Sequence, residues 1–336
     1  MTTDRYAHQR YLLMTLDPVH PGAGGYRLGR VDNSIAREPG TRLPKIPGSS
    51  LHGAARSYAA YLYEKPQCAG QGQSGSSQHC GKPDCPICYT FGYIKGKAMS
   101  SGVVNVFDAR LLLFPVHSML GPVWVSTPSR LHQVGFENLP NDELSETACW
   151  TTLPSTPERL NLGWMMLDAR KQDDAPSAPS DWEGSEAWNA IKGRLALVSD
   201  SLFPHIVNSN LEVRTSVAIN PETGAADDHM LFTYEALPRA AFLTAEVVLD
   251  DYNADKNDRR PAFPITKTGN REPKDLPGGE WKGPLDVVRA GLRMMQYLGV
   301  GGMGTRGFGR IQIIGEPLEK SQEDIFQSLA KPEAGA

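Results

Sequence analysis

Pro284-Leu-Asp-Val-Val-Arg-Ala-Gly-Leu-Arg-Met-Met-Gln-Tyr-Leu298 runs directly into Gly299-Val-Gly-Gly-Met-Gly-Thr-Arg-Gly-Phe-Gly-Arg310, and then into Ile311-Gln-Ile-Ile-Gly315. Leu285, Val288, Leu292 and Met295 recur at helical spacing on one stripe, with Pro284 suited to a first turn and Gly299 to a C-cap. Phe308, Ile311 and Ile313, interrupted by polar residues, read as a strand from Gly307 to Gly315. Between them, six glycines and two arginines fall within twelve residues. Glycine admits positive φ and brings backbone amides close to an anion, and arginine adds a planar fork for phosphate oxygens. A Walker loop is excluded, because no Gly-Lys-Ser/Thr ends the run. A dinucleotide fingerprint is excluded too, because it needs a strand before the glycines and a helix after them, the reverse of this order. A glycine-rich stretch alone is more often a tight turn, so the phosphate reading needs support elsewhere in the chain.

Working outward, Arg10 to Leu16 reads as a strand and His20 to Gly29 as a glycine-rich loop. Ser49 or Ser50 caps a helix reaching about Tyr63. Val103 to Phe107 and Leu111 to Val116 read as paired strands, with others at Arg194 to Ser199, Arg214 to Ile219 and Phe242 to Asp250. Leu318 to Leu329 adds a peripheral helix. With insertions set aside, the order β-α-β-β, then β-α-β, is the split βαβ, ferredoxin-like arrangement that many RNA-binding domains use. The expected fold is α+β, with an RRM-like palm. The length of 336 residues allows one enlarged domain or two small ones, and the element order favours a single domain over residues 1–336 with insertions. No apolar run is long enough to cross a bilayer, and Met-Thr-Thr-Asp-Arg-Tyr lacks a signal-peptide core. The expectation is a cytoplasmic protein without a membrane partner.

The net charge of −4 argues against a generic nucleic-acid binder, but its distribution matters more than its sum. Arg27 to Arg56 carries six bases against Asp32 and Glu38, and Arg289 to Arg310 carries four arginines and no acid. Asn141 to Ala190 holds ten acids and three bases. Residues 135–192 therefore read as an exposed acidic excursion, and the two basic ends as one anion-binding face or as solvated surface charge.

Cys68, Cys80, Cys85 and Cys88 fall within twenty-one residues, and Cys85-Pro-Ile-Cys88 has metal-ligand spacing. Outside an oxidising compartment such clustering means metal or redox chemistry. Gly, Ser and Pro around the cysteines give a loop too polar to fold unaided, which suits tetrahedral Zn²⁺ over residues 65–100. Cys80, Cys85 and Cys88 supply three ligands, and Cys68 or His79 the fourth. A site saturated by protein ligands is structural, with no position open for substrate.

Several blocks together carry a resemblance. Asp17-Pro-Val-His20, Leu28-Gly-Arg-Val-Asp32-Asn-Ser-Ile-Ala-Arg37-Glu and Pro44-Lys-Ile-Pro-Gly-Ser-Ser-Leu-His-Gly-Ala-Ala-Arg56 resemble the repeated backbone subunit of type III-B CRISPR effector complexes. So do Phe107-Asp-Ala-Arg-Leu-Leu-Leu-Phe-Pro-Val-His117-Ser, Glu222-Thr-Gly-Ala, Leu231-Phe-Thr-Tyr-Glu-Ala-Leu-Pro238 and the glycine-rich loop. The resemblance implies copies stacked head to tail on a CRISPR guide RNA, with other type III effector subunits as partners. It also implies a thumb within residues 205–240 that wedges into the guide–target duplex. Base pairing, not side chains, would read the target RNA. Gly301, Gly302, Thr305, Arg306 and Gly307, with Arg37, His52 and Arg56, would hold guide phosphates.

The family's catalytic aspartate falls on Asp32. The resemblance implies Mg²⁺-dependent cleavage of target RNA by ribose 2′-OH attack, with Asp32 binding the metal or helping deprotonate the hydroxyl. His20 matches a family position that could assist proton transfer; taken alone, it reads equally as a loop histidine bonded to backbone. The chain departs from the family pattern at His52, where relatives commonly carry lysine, and at Tyr234 and Ala236 around Glu235. Two readings stay open: an endoribonuclease cutting at Asp32, and a non-catalytic structural backbone that only binds guide and target. A stand-alone enzyme processing guide precursors is a third, for which no clear histidine-based site is present.

Overall fold

Tyr11 and Leu13 point to one side of their strand and Leu12 to the other, and each side enters its own buried cluster. Period-two alternation places successive side chains on opposite faces, so this sheet is covered on both. The computed structural model describes residues 4–24, 31–70, 79–82, 84–140, 144–253, 263, 276 and 280–330. Leu28 to Arg30 of the basic block, and most of Asp255 to Lys274, lie outside the described residues.

The palm runs β1 (Tyr6–Thr15), α1 (Gly48–Leu62), β2 (Ala109–Ser118), β3 (Phe242–Asp250), α2 (Pro284–Leu298) and β4 (Ile311–Lys320). Their order across the sheet is β4-β1-β3-β2, with every neighbouring pair antiparallel. This is the ferredoxin-like order that the split βαβ pattern implies. Helices α1 and α2 cover one face, burying Leu51, Ala55, Val288, Leu292 and Met295 against Tyr11, Leu111 and Leu243. Their close crossing depends on Gly291, where a Cβ would stand 2.1 Å from the Ala55 carbonyl oxygen. The α2 helix has the bounds its sequence implies, and Asp286 accepts hydrogen bonds from the Lys282 and Gly283 amides at its start.

On the opposite face, Trp182, Trp188 and Phe136 pack against Leu12, Leu112, Phe242 and Ile314. The rings of Phe136 and Trp188 meet edge to face at 5.1 Å, and Trp182 donates its indole N–H to the Glu316 carbonyl. Residues 135–192 are therefore no exposed excursion. Strands Ala148–Thr151, Arg159–Leu162 and Met165–Lys171 extend the sheet through Leu195–Leu197 and Gly121–Ser126. Two tryptophans bury the inner side while most of the acids face solvent.

Three local expectations are corrected. Neither Ser49 nor Ser50 caps α1; Pro47 is the cap residue, and Asp108 accepts the Gly48 amide at 2.7 Å. Val104–Val106 does not pair with β2, because both lie along β3. β4 begins at Ile311, since positive φ at Gly307 and Gly309 keeps residues 307–310 in the loop. A two-stranded hairpin, Glu212–Ile219 with Ala226–Ala236, stands apart from the main sheet within the region marked as a thumb. The peripheral helix spans Gln322–Ala330. Among the described residues no helix is long and apolar enough to cross a membrane.

Candidate nucleic-acid interface

The glycine-rich loop is zipped onto the chain that follows β1. Gly309 donates to the Pro18 carbonyl and Gly302 to the His20 carbonyl, both at 2.9 Å. Gly301, at φ 87°, passes so close that a Cβ would lie 2.7 Å from the His20 oxygen. Thr305, Arg306 and Gly307 stand exposed at the tip. Phe308 turns inward and packs with Tyr234 and Ala236 at the hairpin base. Two guanidiniums lie over aromatic faces there, Arg214 over Phe308 at 4.7 Å and Arg306 over Phe232 at 5.3 Å. Cation–π placement keeps each charge near the surface and orients it.

The same hairpin strand receives the segment carrying Asp32. Asn33 donates to the Thr233 carbonyl and Glu235 to the Asn33 carbonyl, both at 3.0 Å. Asp32 itself is exposed, and its Oδ2 accepts the Thr233 amide at 2.7 Å and the Thr233 hydroxyl at 3.0 Å. These two donors, the amide first, hold its carboxyl below the usual carboxylate range. The result is an oriented carboxylate at the surface, biased toward its ionised form.

His20 is buried against the Tyr234 ring, and its Nδ1 lies 2.6 Å from the Glu235 carbonyl oxygen. A carbonyl only accepts, so Nδ1 carries the proton. His20 braces the loop from beneath through this bond, in keeping with the loop-histidine alternative offered by the sequence. Arg37 is also committed. Its guanidinium binds Glu235 at 2.7 Å, the Asn208 amide oxygen at 3.1 Å and the Ile35 carbonyl at 3.1 Å. It forms the floor of a cleft of about 980 Å³ bordered by Ser34, Arg42, His205 and Ser209.

A second groove, about 420 Å³, runs between α1 and the glycine-rich loop. Ser49, Ser50, Gly53 and Ser57 line one wall, and Gly299, Gly301 and Gly304 the other. His52 and Arg56 are on a different face of α1. His52 meets the edge of Phe91 at 5.1 Å, and burial and Arg56 depress its basicity. Arg56 is only 8% exposed and donates to the Cys68 carbonyl at 2.9 Å and the Phe91 carbonyl at 3.2 Å. Its expected contact with guide phosphate is therefore corrected: the side chain points into the cysteine loop, away from the groove.

In that loop the sulfurs of Cys68, Cys80, Cys85 and Cys88 all lie within 4.8 Å of one another. Three of the separations are 3.6, 3.7 and 3.9 Å. Four sulfurs about 2.3 Å from a tetrahedral zinc stand about 3.8 Å apart, so the spacing matches such a site and is far too long for disulfides. His79 is occupied elsewhere. Its Nδ1 takes the Ile94 amide at 3.1 Å and its Nε2 faces Arg56 at 3.0 Å, so Cys68 is the fourth sulfur of the cluster.

Sequence reasoning missed Thr233, whose partner is far away in the chain. It also missed the serine wall of α1, although Ser50, Gly53 and Ser57 at helical spacing were a legible signal.

A ferredoxin-like palm with a glycine-rich loop between α2 and β4, and a hairpin standing over that loop, defines the class. The chain belongs to the RAMP superfamily, which it matches over residues 12–312. Within it, it is a backbone subunit of the type III-B Cmr kind. It is 31% identical over 242 residues, covering 67% of this chain and 76% of the relative, to the CRISPR system Cmr endoribonuclease Cmr4 of Pyrococcus furiosus. A shorter match, 40% over 75 residues, covers 22% of this chain and 27% of the Cms endoribonuclease Csm3 of Methanothermobacter thermautotrophicus. Among solved structures it resembles a chain of the type III-B Cmr-beta complex bound to cognate target RNA, with TM-score 0.59, 15% identity and coverage of 91% and 96%. Oligomeric Cmr4 from Pyrococcus furiosus gives TM-score 0.55, 20% identity and coverage of 93% and 98%. The resemblance carried by the separate sequence blocks is borne out at the level of the family.

Proposed function

We propose that this chain is an RNA-guided endoribonuclease subunit that stacks in copies along a CRISPR guide RNA and cuts the paired target RNA beside Asp32. The supporting observation is the lock between Asp32 and Thr233, which fixes an ionised carboxylate at the base of the hairpin. The relatives support the reaction class, since both Cmr4 and Csm3 are named endoribonucleases. The Cmr-beta complex, solved with cognate target RNA, supports the substrate.

The guide backbone lies in the groove between Ser50, Gly53 and Ser57 of α1 and the glycine-rich loop, where hydroxyls and backbone amides meet phosphate oxygens. Arg306 adds charge at the loop tip. The hairpin acts as the thumb. Its exposed Val213, Val217, Ile219 and Leu231 form an apolar edge suited to unstacking a base step, and an opened step frees a target ribose to align for attack.

The target 2′-hydroxyl loses its proton to solvent as its oxygen attacks the adjacent phosphorus, the bond from phosphorus to the 5′-oxygen breaks, and that oxygen takes a proton from water, so the products carry a 2′,3′-cyclic phosphate and a 5′-hydroxyl. The lowered proton affinity of Asp32 suits holding Mg²⁺ better than taking a proton. When bound, Mg²⁺ offsets the charge that develops on the phosphate. Thr233 orients the carboxylate, and Arg306 contributes positive charge near the same hairpin base. The four cysteines would hold structural Zn²⁺, which would tie the loop that carries them to α1. Asp32→Asn in the guide-loaded complex tests the assignment: target binding persists and cutting is lost, whereas undiminished cutting would move the chemistry to another residue.

A further inference from the structure

Arg56 presents a charge that has to be accounted for. It sits almost wholly buried, and among the described residues no carboxylate pairs with it. Its three neighbours, two carbonyls and an imidazole, are neutral. A buried cation without a counter-charge is costly. Beside it lie Cys68, Cys85 and Cys88, all essentially inaccessible. Four thiolates around a divalent ion leave two net negative charges in that same interior. Lys95 reaches the loop at the Cys80 carbonyl from the exposed side, and half-buried Lys65 adds positive charge near Cys85 and Cys80. Arg56 is the most deeply buried of the three and lies beside Cys68, Cys85 and Cys88, and the two imbalances cancel in part.

We propose that Arg56 is the counter-cation of the tetrathiolate metal site and the strut through which that site positions α1, a role that rests on the zinc reading above. The geometry is specific to arginine. Its Nε donates to the Cys68 carbonyl and a terminal nitrogen donates to the Phe91 carbonyl at the end of the helix that holds Cys88. The other terminal nitrogen packs 3.0 Å from Nε2 of His79, which carries the ring proton because Nδ1 accepts the Ile94 amide. A planar fork spans the two carbonyls where a point charge cannot. Arg56 stands on α1, and another face of the same helix carries Ser50, Gly53 and Ser57 of the groove. Loss of the metal therefore loosens a wall of the guide groove without any metal ligand touching RNA.

The test uses the full chain purified with zinc. Metal content is measured first: about one zinc per chain is expected in wild type, and its absence overturns the zinc reading and this role with it. Zinc release to a colorimetric chelator is then timed for wild type, Arg56→Met, Arg56→Lys and, as a surface control, Arg110→Met. Arg56→Met is expected to release zinc at least about tenfold faster, in line with the effect of outer partners of metal ligands. Arg56→Lys should fall between, because it restores charge but not the fork, and Arg110→Met should match wild type. Cobalt-substituted Arg56→Lys should keep the tetrahedral thiolate spectrum, which shows that the site is built and only weakened. Guide binding by wild type should weaken on stripping zinc with a chelator and recover on adding it back. Wild-type zinc release from both Arg56 variants, with guide binding lost, overturns the proposal and returns Arg56 to the phosphate groove.

Discussion

Thr233 closes on Asp32 from 201 residues away, its amide and its hydroxyl both donating to the same carboxylate oxygen at 2.7 and 3.0 Å. This contact ties the segment after β1 to the hairpin, and it decides what Asp32 can do. A carboxylate fed by two donors stays ionised to lower pH.

Thr233→Val keeps the shape and the amide but removes the hydroxyl donor. Cleavage in the guide-loaded complex should fall roughly 10–100-fold, the usual effect of losing an outer partner of a metal-binding group, while target binding is retained. The pH profile carries the sign. Asp32 has its proton affinity lowered in part by this hydroxyl, so in the variant the acid limb of the rate moves to higher pH. An unmoved acid limb would separate Thr233 from the ionisation of Asp32.

Gly301→Ala places a methyl group 2.7 Å from the His20 carbonyl oxygen at a residue with φ 87°. Left-handed backbone alone costs an alanine about 1–2 kcal/mol, and the clash adds to it. Thermal melting should show a lower midpoint and guide binding should weaken together with it. Gly304→Ala, with open space around its Cβ position and no positive φ, should melt like wild type.

The Arg37–Glu235 pair has side chains only 13% and 9% exposed. Arg37→Ala leaves Glu235 buried beside His20 without a partner, and a loss of about 3 kcal/mol or more in unfolding free energy is expected. Removing both charges with Arg37→Met and Glu235→Leu should recover part of it, as urea unfolding can measure. Full additivity of the two losses would show that the pair does not interact.

Glu246 accepts hydrogen bonds from His8 and Arg10, and its pKa is lowered to about 2, the His8 contact being the largest cause. A depressed carboxylate stabilises the fold above its unfolded pKa, near 4.5, and that contribution disappears as pH falls toward 2. The pair is partly exposed, so Glu246→Gln should cost less than about 1 kcal/mol at pH 7. The difference from wild type should shrink steadily below pH 4.5, and a difference that grows instead would reverse the assignment.

How much was legible in the chain follows from the range of each interaction. The α2 helix could be bounded to the residue because proline, the apolar stripe and the closing glycine are all local. The palm topology followed from element order, since the split βαβ pattern leaves one sheet order. Trp182 and Trp188 were a signal passed over: residues that large are seldom left in solvent, and they mark a second core beneath an acidic surface. The cysteines announced a cluster with metal-ligand spacing, but the choice between Cys68 and His79 as its fourth member needed the ring nitrogens of His79 to be seen occupied. Arg56 and Arg37 read as phosphate ligands because a basic residue in a basic segment looks free. Only the folded chain shows one committed to the cysteine loop and the other to Glu235. Nothing near Asp32 in sequence hints at Thr233.

The most direct test of the central claim is cleavage of end-labelled target RNA by the guide-loaded complex with Mg²⁺ or EDTA, comparing wild type with Asp32→Ala. The account predicts a ladder of regularly spaced cuts ending in 2′,3′-cyclic phosphate, abolished by EDTA and by the substitution while target binding is unchanged. A ladder that survives Asp32→Ala, or wild-type complex that binds target and never cuts it, would contradict the account and leave this chain as a scaffold along the guide.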